Sequence, residues 1–385
     1  MHKTLDSKLP HVGTTIFSVM SRLAEETGAI NLSQGFPSFE PPDALLERFE
    51  HYLTHGANQY APMSGVPSLL RAIANKTFRT QGRSLDTENE LTVSTGATEG
   101  LFSAITALIR PGDEVIVLDP AYDAYEPAIE LSGGRAVHVP LAIHDDEFVV
   151  DWQPVADAVS PKTRAIVLNF PHNPTGAVIG RDGLDTLASL LRDTDVYVIS
   201  DEVYEHIVFD DVLHDSVLSH DELWERSIVI SSFGKTFHAT GWKVGYAAAP
   251  AHLTTEFRKV HQFTTFAVNT PAQFALADYL ESDPAFYLAL SGFYQQKRDL
   301  FCDLLEPSRL RLRPSRSTFF QVADYSEISD QPDVEVAEQW TTDNGIATIP
   351  LSVFCETPFS GHRLRFCFAK DDETLTRAAE ILCEL

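Results

Sequence analysis

The chain has 385 residues, 44% of them hydrophobic, which is ordinary for a globular protein and long enough for two packed domains. Its 55 acidic and 29 basic residues give a formal net charge of −26. That balance argues against non-specific binding to nucleic acid or an anionic membrane, but not against an anionic substrate, because a few placed cations can dominate a pocket.

The stretch Met1–Asp6 lacks the apolar core of a signal peptide, and no run approaches the length of a membrane span, so the expected location is the cytoplasm. Residues 1–40 contain Pro10 and Pro37 with little periodicity, and read as an arm that packs on another part of the fold. Thr98–Ile109 reads as a helix with Leu101, Ile105 and Leu108 on one face. Five apolar runs then read as strands: Glu114–Leu118 (after the Pro111-Gly112-Asp113 turn), Arg164–Asn169, Val196–Ser200, Ser227–Ile230 and Gly245–Ala249. Strands alternating with helices predict a mostly parallel sheet covered on both faces. The last hundred residues differ: a long helix at Ala285–Leu305, short strands at Thr318–Val322 and Arg363–Phe368, and a terminal helix at Glu373–Leu385. The expected organisation is an arm joined to part of a small domain (1–40), a large α/β domain (41–285) and a smaller α+β domain (286–385).

Four cysteines, Cys302, Cys355, Cys367 and Cys383, form no CxxC pair, which argues against a zinc site or a disulfide framework, and no metal is expected.

Candidate chemistry lies just beyond the strand ends, where open α/β sheets bind ligands. Tyr122, Asn173, Asp201 and Lys235 each follow a predicted strand. Lys235 sits in Ser231-Ser232-Phe233-Gly234-Lys235-Thr236, which runs into Gly241-Trp242-Lys243-Val244-Gly245. Glycine admits a bulky ligand close to the backbone, and the hydroxyls and Lys243 suit an anion. A desolvated lysine has a lowered pKa and forms Schiff bases with carbonyls. Alone, that segment reads equally well as a surface lysine after a strand, and Asp201 alone reads as a helix N-cap.

Seven motifs occur in order: Asn31-Leu32-Ser33-Gln34-Gly35-Phe36-Pro37, Asn58-Gln59-Tyr60, Asp119-Pro120-Ala121-Tyr122, Asn169-Phe170-Pro171-His172-Asn173-Pro174-Thr175-Gly176, Ser200-Asp201-Glu202-Val203-Tyr204, the lysine segment, and Arg363-Leu364-Arg365-Phe366-Cys367-Phe368. Together they resemble the class I aminotransferases of fold type I, which use pyridoxal 5'-phosphate. Within that family, His261-Gln262-Phe263, Val268–Gln273 and Ile349–Phe354 are most similar to bacterial methionine aminotransferases and the kynurenine aminotransferase/glutamine transaminase K group.

The resemblance implies a large domain built on a mostly parallel seven-stranded sheet with helices on both faces, plus a smaller α+β domain. It implies that Lys235 is the Schiff-base lysine and proton shuttle, and that Asp201 lies beside the pyridine nitrogen. Asn173 and Tyr204 match the donors to the ring's phenolic oxygen, and Tyr122 matches the aromatic that stacks on the ring. Gly96, Ala97 and Thr98 open a helix whose N-terminus suits a phosphate dianion. Ser232 and Lys243 match side-chain phosphate contacts; many relatives have arginine in place of Lys243, so the charge persists without the bidentate fork. Tyr60 matches a residue that reaches the phosphate of a neighbouring subunit, which implies a homodimer. Arg365 matches the clamp on the substrate α-carboxylate, with Gly35 and Asn173 beside it. Arg363, alternating with Arg365, is expected to face the other way and be solvated or salt-bridged. Phe17, Phe36, Tyr60 and Phe266 fall where the side-chain pocket is lined.

The reaction implied is ping-pong transfer of the amino group of methionine, or a similar neutral or aromatic amino acid, to a 2-oxo acid. Alternatives with the same residues are a β-lyase acting on cysteine S-conjugates or cystathionine-type thioethers, and a kynurenine or glutamine transaminase. A non-catalytic regulatory protein of the same fold is the alternative from another class.

Overall fold

The computed structural model describes residues 6–356, 359 and 361–385; the first five residues of the expected arm lie outside that range. Its centre is a seven-stranded sheet made of β1 (Leu91–Ser94), β2 (Glu114–Asp119), β3 (Arg135–Pro140), β4 (Thr163–Asn169), β5 (Tyr197–Asp201), β6 (Ser227–Ser232) and β7 (Gly245–Ala248). The spatial order is β1-β7-β6-β5-β4-β2-β3, and every pairing is parallel except those of β7, which runs antiparallel to β1 and β6. The inner strands are continuous apolar runs because both faces are covered: Ala165–Leu168 and Ile228–Ile230 are all buried.

All five predicted strands of this sheet are present, with ends shifted by no more than two residues. The remaining two, β1 and β3, were not foreseen. β1 has only four residues, and β3 is an edge strand whose first residue is exposed and whose next three are half-buried, so its pattern resembles a loop.

The helix at Gly96–Leu108 begins at the end of β1 and packs Leu101, Ile105 and Leu108 into the core. Beyond the sheet, a 22-residue helix at Pro284–Leu305 leads into a three-stranded antiparallel sheet. Its strands β8 (Phe320–Asp324), β9 (Ile349–Pro350) and β10 (Arg363–Cys367) lie in the order β8-β10-β9, with Val322 opposite Arg365.

The N-terminal segment is more regular than its sequence suggested. A helix spans Ile16–Thr27, capped by Thr15, whose hydroxyl accepts from the Ser18 N–H, and closed by Gly28 at φ 69°. Only Met20 and Ala24 are fully buried along it, a stripe too narrow to stand out as periodicity. Ile30–Asn31 then pairs in parallel with Ile346–Ala347, which ties this segment to the C-terminal part of the chain.

Candidate active site

The C-terminal ends of β2, β4, β5 and β6 converge on one cavity of about 180 Å³, lined by Tyr122, Asn173, Asp201, Tyr204, Ser232, Lys235 and Lys243 among others. Lys235 lies in a single helical turn, Phe233–Thr236, that the end of β6 feeds directly. Ser232 caps the turn by accepting from the Gly234 N–H at 3.2 Å. Glycine is required at 234 and 245: a Cβ on Gly234 would lie 2.9 Å from the Thr240 Cα, and one on Gly245 2.5 Å from the Ser231 carbonyl oxygen.

The Lys235 amine donates to the Gly35 carbonyl oxygen and lies 5.4 Å from the centre of the Tyr204 ring and 5.2 Å from that of Phe319. Burial lowers its pKa to about 8, and the cations of Arg365 and Lys243 act in the same direction. At pH 7 an amine with a pKa of about 8 is neutral in about one molecule in ten, against about one in three thousand for an ordinary lysine. This lysine can therefore act as a nucleophile towards a carbonyl and as a base.

Asp201 ends β5 and is buried. Desolvation raises its pKa to about 6; opposing this, the Tyr125 hydroxyl donates to Oδ2 at 2.7 Å and the Val203 N–H to Oδ1 at 3.3 Å. The N-cap reading of Asp201 thus has one weak contact, and the side chain is chiefly a buried carboxylate facing the cavity. Such a group stabilises a protonated ring nitrogen. Tyr125 is a partner of Asp201 that sequence reasoning missed. It lies three residues after Tyr122 in an apolar setting, where a tyrosine reads as core packing. Asn169, also unassigned, holds the local backbone: its amide donates to the Asp201 carbonyl at 3.2 Å and accepts from the Asn173 N–H at 3.1 Å.

At the other end of the cavity, Gly96 turns the chain from β1 into its helix at φ 66°. A Cβ there would lie 3.2 Å from both Cε and Nζ of Lys243. The Lys243 amine in turn points at the Thr98 hydroxyl, 3.4 Å away. Ala97, Thr98, Ser232 and Thr240 line the same end. A helix N-terminus, hydroxyls and one ammonium around a glycine-sized opening form a cradle for a dianion. Thr240 was not foreseen here.

Arg365, on β10, is fully buried. Its Nη1 donates to Asn173 Oδ1 at 2.9 Å and its Nη2 to the Ser33 carbonyl at 2.7 Å, while the guanidinium stacks 4.0 Å from the centre of the Phe320 ring. Its Nε is buried with no hydrogen-bond partner among the described residues. A buried donor of this kind calls for an acceptor, and a carboxylate is the acceptor an arginine edge fits best. Arg363 is ion-paired, as expected, to Asp146 at 2.7 Å and Asp324 at 3.8 Å. The reason given for that separation fails, however. Residues two apart on a strand share a face, so the arginines are separated by their distance along β10 and by their partners, not by the pleat.

Among the residues expected to contact the side chain, Phe17 lies close: Arg365 sits 5.3 Å from the centre of its ring, which is 5.6 Å from that of Phe354. Gly35 is packed against Phe320 and within reach of the Lys235 amine. Phe36 is 44% exposed and pairs with Lys370 rather than with the cavity. Tyr60 and Phe266 meet each other, with ring centres 5.6 Å apart, but neither lines the cavity of its own chain.

Comparison with known proteins gives a consistent result. The family model for "Aminotransferase class I and II" matches residues 27–382. The chain is 52% identical to the methionine aminotransferase of Escherichia coli over 379 residues, 98% of each protein. It is 37% identical to a probable N-succinyldiaminopimelate aminotransferase of Mycobacterium tuberculosis, again over 98% of each. Among solved structures, an E. coli protein identified by its reactivity as a methionine aminotransferase superposes with a TM-score of 0.97 and 52% identity, over 99% of this chain and 100% of that one.

Proposed function

The chain belongs to the class I and II aminotransferases, which depend on pyridoxal 5'-phosphate, and from that premise we propose that it transfers the amino group of methionine, or a similar neutral or aromatic amino acid, to a 2-oxo acid. The observation that carries the reaction is a cavity lined by a lysine of lowered pKa and a buried carboxylate, with a buried arginine, its Nε unpartnered among the described residues, hydrogen-bonded to Asn173 in the cavity wall. The similarity to the E. coli enzyme supports methionine as the donor.

The residues fit the cofactor end to end: the Gly96 cradle suits its phosphate, and Asp201 suits its ring nitrogen. When bound, the cofactor supplies a conjugated ring that takes up the electron pair released at the substrate α-carbon. Lys235 would be the point of covalent attachment, and its amine, once free, would move the proton taken from the substrate α-carbon. Asp201 would keep the ring nitrogen protonated, Asn173 and Tyr204 would hold the phenolic oxygen, and Tyr122 would cover the ring. Gly96, Ala97, Thr98, Ser232 and Lys243 hold the phosphate. Arg365 would take the α-carboxylate and so orient the bonds at the α-carbon. Gly35 and Phe17 border the substrate.

The working form in this reading is a homodimer in the cytoplasm. Tyr60 is 85% exposed and Phe266 47% exposed at φ 69°, a cost in exposure and strain that a second copy's cavity would offset. Phe36 completes the side-chain pocket if it turns inward on substrate binding.

A panel of amino donors added to the purified holoenzyme tests the assignment through the cofactor absorbance. Methionine should convert the cofactor to its amino form without release of ammonia. An unchanged spectrum with methionine, phenylalanine, kynurenine and glutamine would refute the donor class, and ammonia with pyruvate from a thioether would indicate elimination instead. Mixing Lys235→Ala with Tyr60→Phe protomers tests the shared site. Activity should reappear at about a quarter to a half of wild type if Tyr60 acts across the interface.

A further inference from the structure

A second cavity, of about 410 Å³, adjoins the first, and Tyr122 lines both. Its walls come from the segment leading into the N-terminal helix, from Tyr122–Pro127 and from Val353–Glu356. Arg365 lies behind its wall rather than in it: Phe354 lines the cavity, and the Arg365 guanidinium lies 5.9 Å from the centre of that ring. A substrate with its carboxylate on Arg365 and its α-carbon towards Lys235 would have this space next to its side chain, across the shared Tyr122.

The ionisable groups facing this cavity are the carboxyls of Asp123, Glu126 and Glu356, the imidazoles of His11 and His138, the Tyr122 phenol and the Cys355 thiol, with no lysine or arginine among the described residues. His138 is already engaged, with Nδ1 2.7 Å from Asp119 and Nε2 3.7 Å from Glu126. Neither the Asp123 nor the Glu356 carboxylate has a side-chain partner among the described residues, and of the two Asp123 is half-buried while Glu356 is exposed. Burial raises the pKa of Asp123 while the charge of Arg365 opposes the rise, which places it in the field of the group that holds substrate.

We propose that Asp123 is a charge filter that selects substrates with uncharged side chains and rejects those carrying a side-chain carboxylate. The inference rests on the proposed reaction with neutral amino acids and names the residue that enforces it. A second carboxylate on the substrate would meet Asp123 with no cation to receive it. At a separation of about 7 Å and an effective dielectric between about 20 and 40, the repulsion disfavours such a substrate roughly 8- to 50-fold. Both half-reactions use the same space, so the amino acceptor is subject to the same rule and is a 2-oxo acid with an uncharged side chain.

The test compares the wild-type holoenzyme with Asp123→Asn and Asp123→Glu. Its readout is the ratio of kcat/KM for glutamate to that for methionine, together with the Kd ratio of the unreactive acids glutarate and hexanoate read from the cofactor absorbance. The Asn variant should raise the glutamate-to-methionine ratio roughly tenfold or more and tighten glutarate relative to hexanoate by a similar factor. The Glu variant, which keeps the charge, should stay near the wild-type ratios. Unchanged ratios in Asp123→Asn, or equal changes in both variants, would overturn the inference while leaving the neutral-donor reading intact. A wild-type enzyme that uses glutamate as readily as methionine would overturn both.

Discussion

Tyr125→Phe removes one hydroxyl and tests how Asp201 stays ionised beneath the cofactor. Asp201 is pushed up to about 6 by burial, and the 2.7 Å hydrogen bond from Tyr125 is the shorter of the two donors that hold it down. A hydrogen bond to a charged acceptor contributes about 1.5–3 kcal/mol, or roughly one to two pKa units at 1.36 kcal/mol per unit. The variant's Asp201 should therefore titrate at roughly 7–8 in the cofactor-free protein. In the proposed arrangement cofactor binding requires the carboxylate ionised, so any pH at which Asp201 is protonated should weaken it. Well above both values the hydrogen bond is lost equally from the free and bound protein, and the variant-to-wild-type Kd ratio should be near one at pH 9. At pH 5.5 the variant's Asp201 is protonated far more completely, and the ratio should reach roughly 8–80. Fluorescence titration of cofactor-free protein from pH 5.5 to 9 measures it. The cofactor's own ionisation is common to both proteins and drops out of the ratio. A ratio that does not change with pH would show that Tyr125 merely packs.

Three further outcomes follow from the same geometry. Burial lowers Lys235 from 10.5 to about 8, so its charged form penalises the folded cofactor-free protein by on the order of 3 kcal/mol below pH 8, and the penalty fades as pH rises from 8 to 10.5. Cofactor-free Lys235→Met should melt a few degrees higher than wild type at pH 7, with the gain shrinking towards pH 10, and should retain no borohydride-fixed cofactor; an equal melting temperature would refute the desolvation argument. Arg365→Lys loses the forked edge that suits a carboxylate, so kcat/KM for methionine should fall roughly 10²- to 10³-fold, mostly through KM, in steady-state assays. Gly96→Ala combines φ 66° with a Cβ 3.2 Å from the Lys243 side chain, and should raise the cofactor Kd roughly tenfold while circular dichroism shows an intact fold.

How much of this was legible in the sequence depended on how each residue is held. Lys235, Asp201 and Asn173 stand just past buried strands, so a reading of apolar runs with polar punctuation located them, as it located β2, β4, β5, β6 and β7. Arg365 came from its motif, because a charged residue fully buried on a strand contradicts the ordinary expectation for arginine. Tyr125 and Asp123 were not visible, and for opposite reasons. Tyr125 serves the site through a single hydroxyl on a fully packed ring. Asp123 has no side-chain partner among the described residues, and the cavity it faces is walled by an N-terminal segment more than a hundred residues away. The Ile16–Thr27 helix was lost because most of its apolar face is only half covered. Tyr60 and Phe266 are exposed aromatics within their own chain, so only the motif resemblance singles them out.

The pKa shifts also explain why the site needs its ligand. Burial drives Lys235 down to about 8 and Asp201 up to about 6, so each is less comfortable in its charged form than in water. Arg365 is lowered by the same burial to about 10 and keeps a buried Nε without a partner. These penalties share one remedy. A ligand with an anionic end at Lys243, a carbonyl at Lys235 and a protonated nitrogen at Asp201 removes the lysine's charge and pairs that of the aspartate. A substrate carboxylate then satisfies Arg365. Binding free energy therefore appears as folding stability, and the protein should be most stable with cofactor and substrate analogue both bound, less so with cofactor alone, and least with neither. A cofactor that stabilised the protein no more than free phosphate does would show that the phosphate cradle, rather than the Lys235–Asp201 pair, dominates its binding.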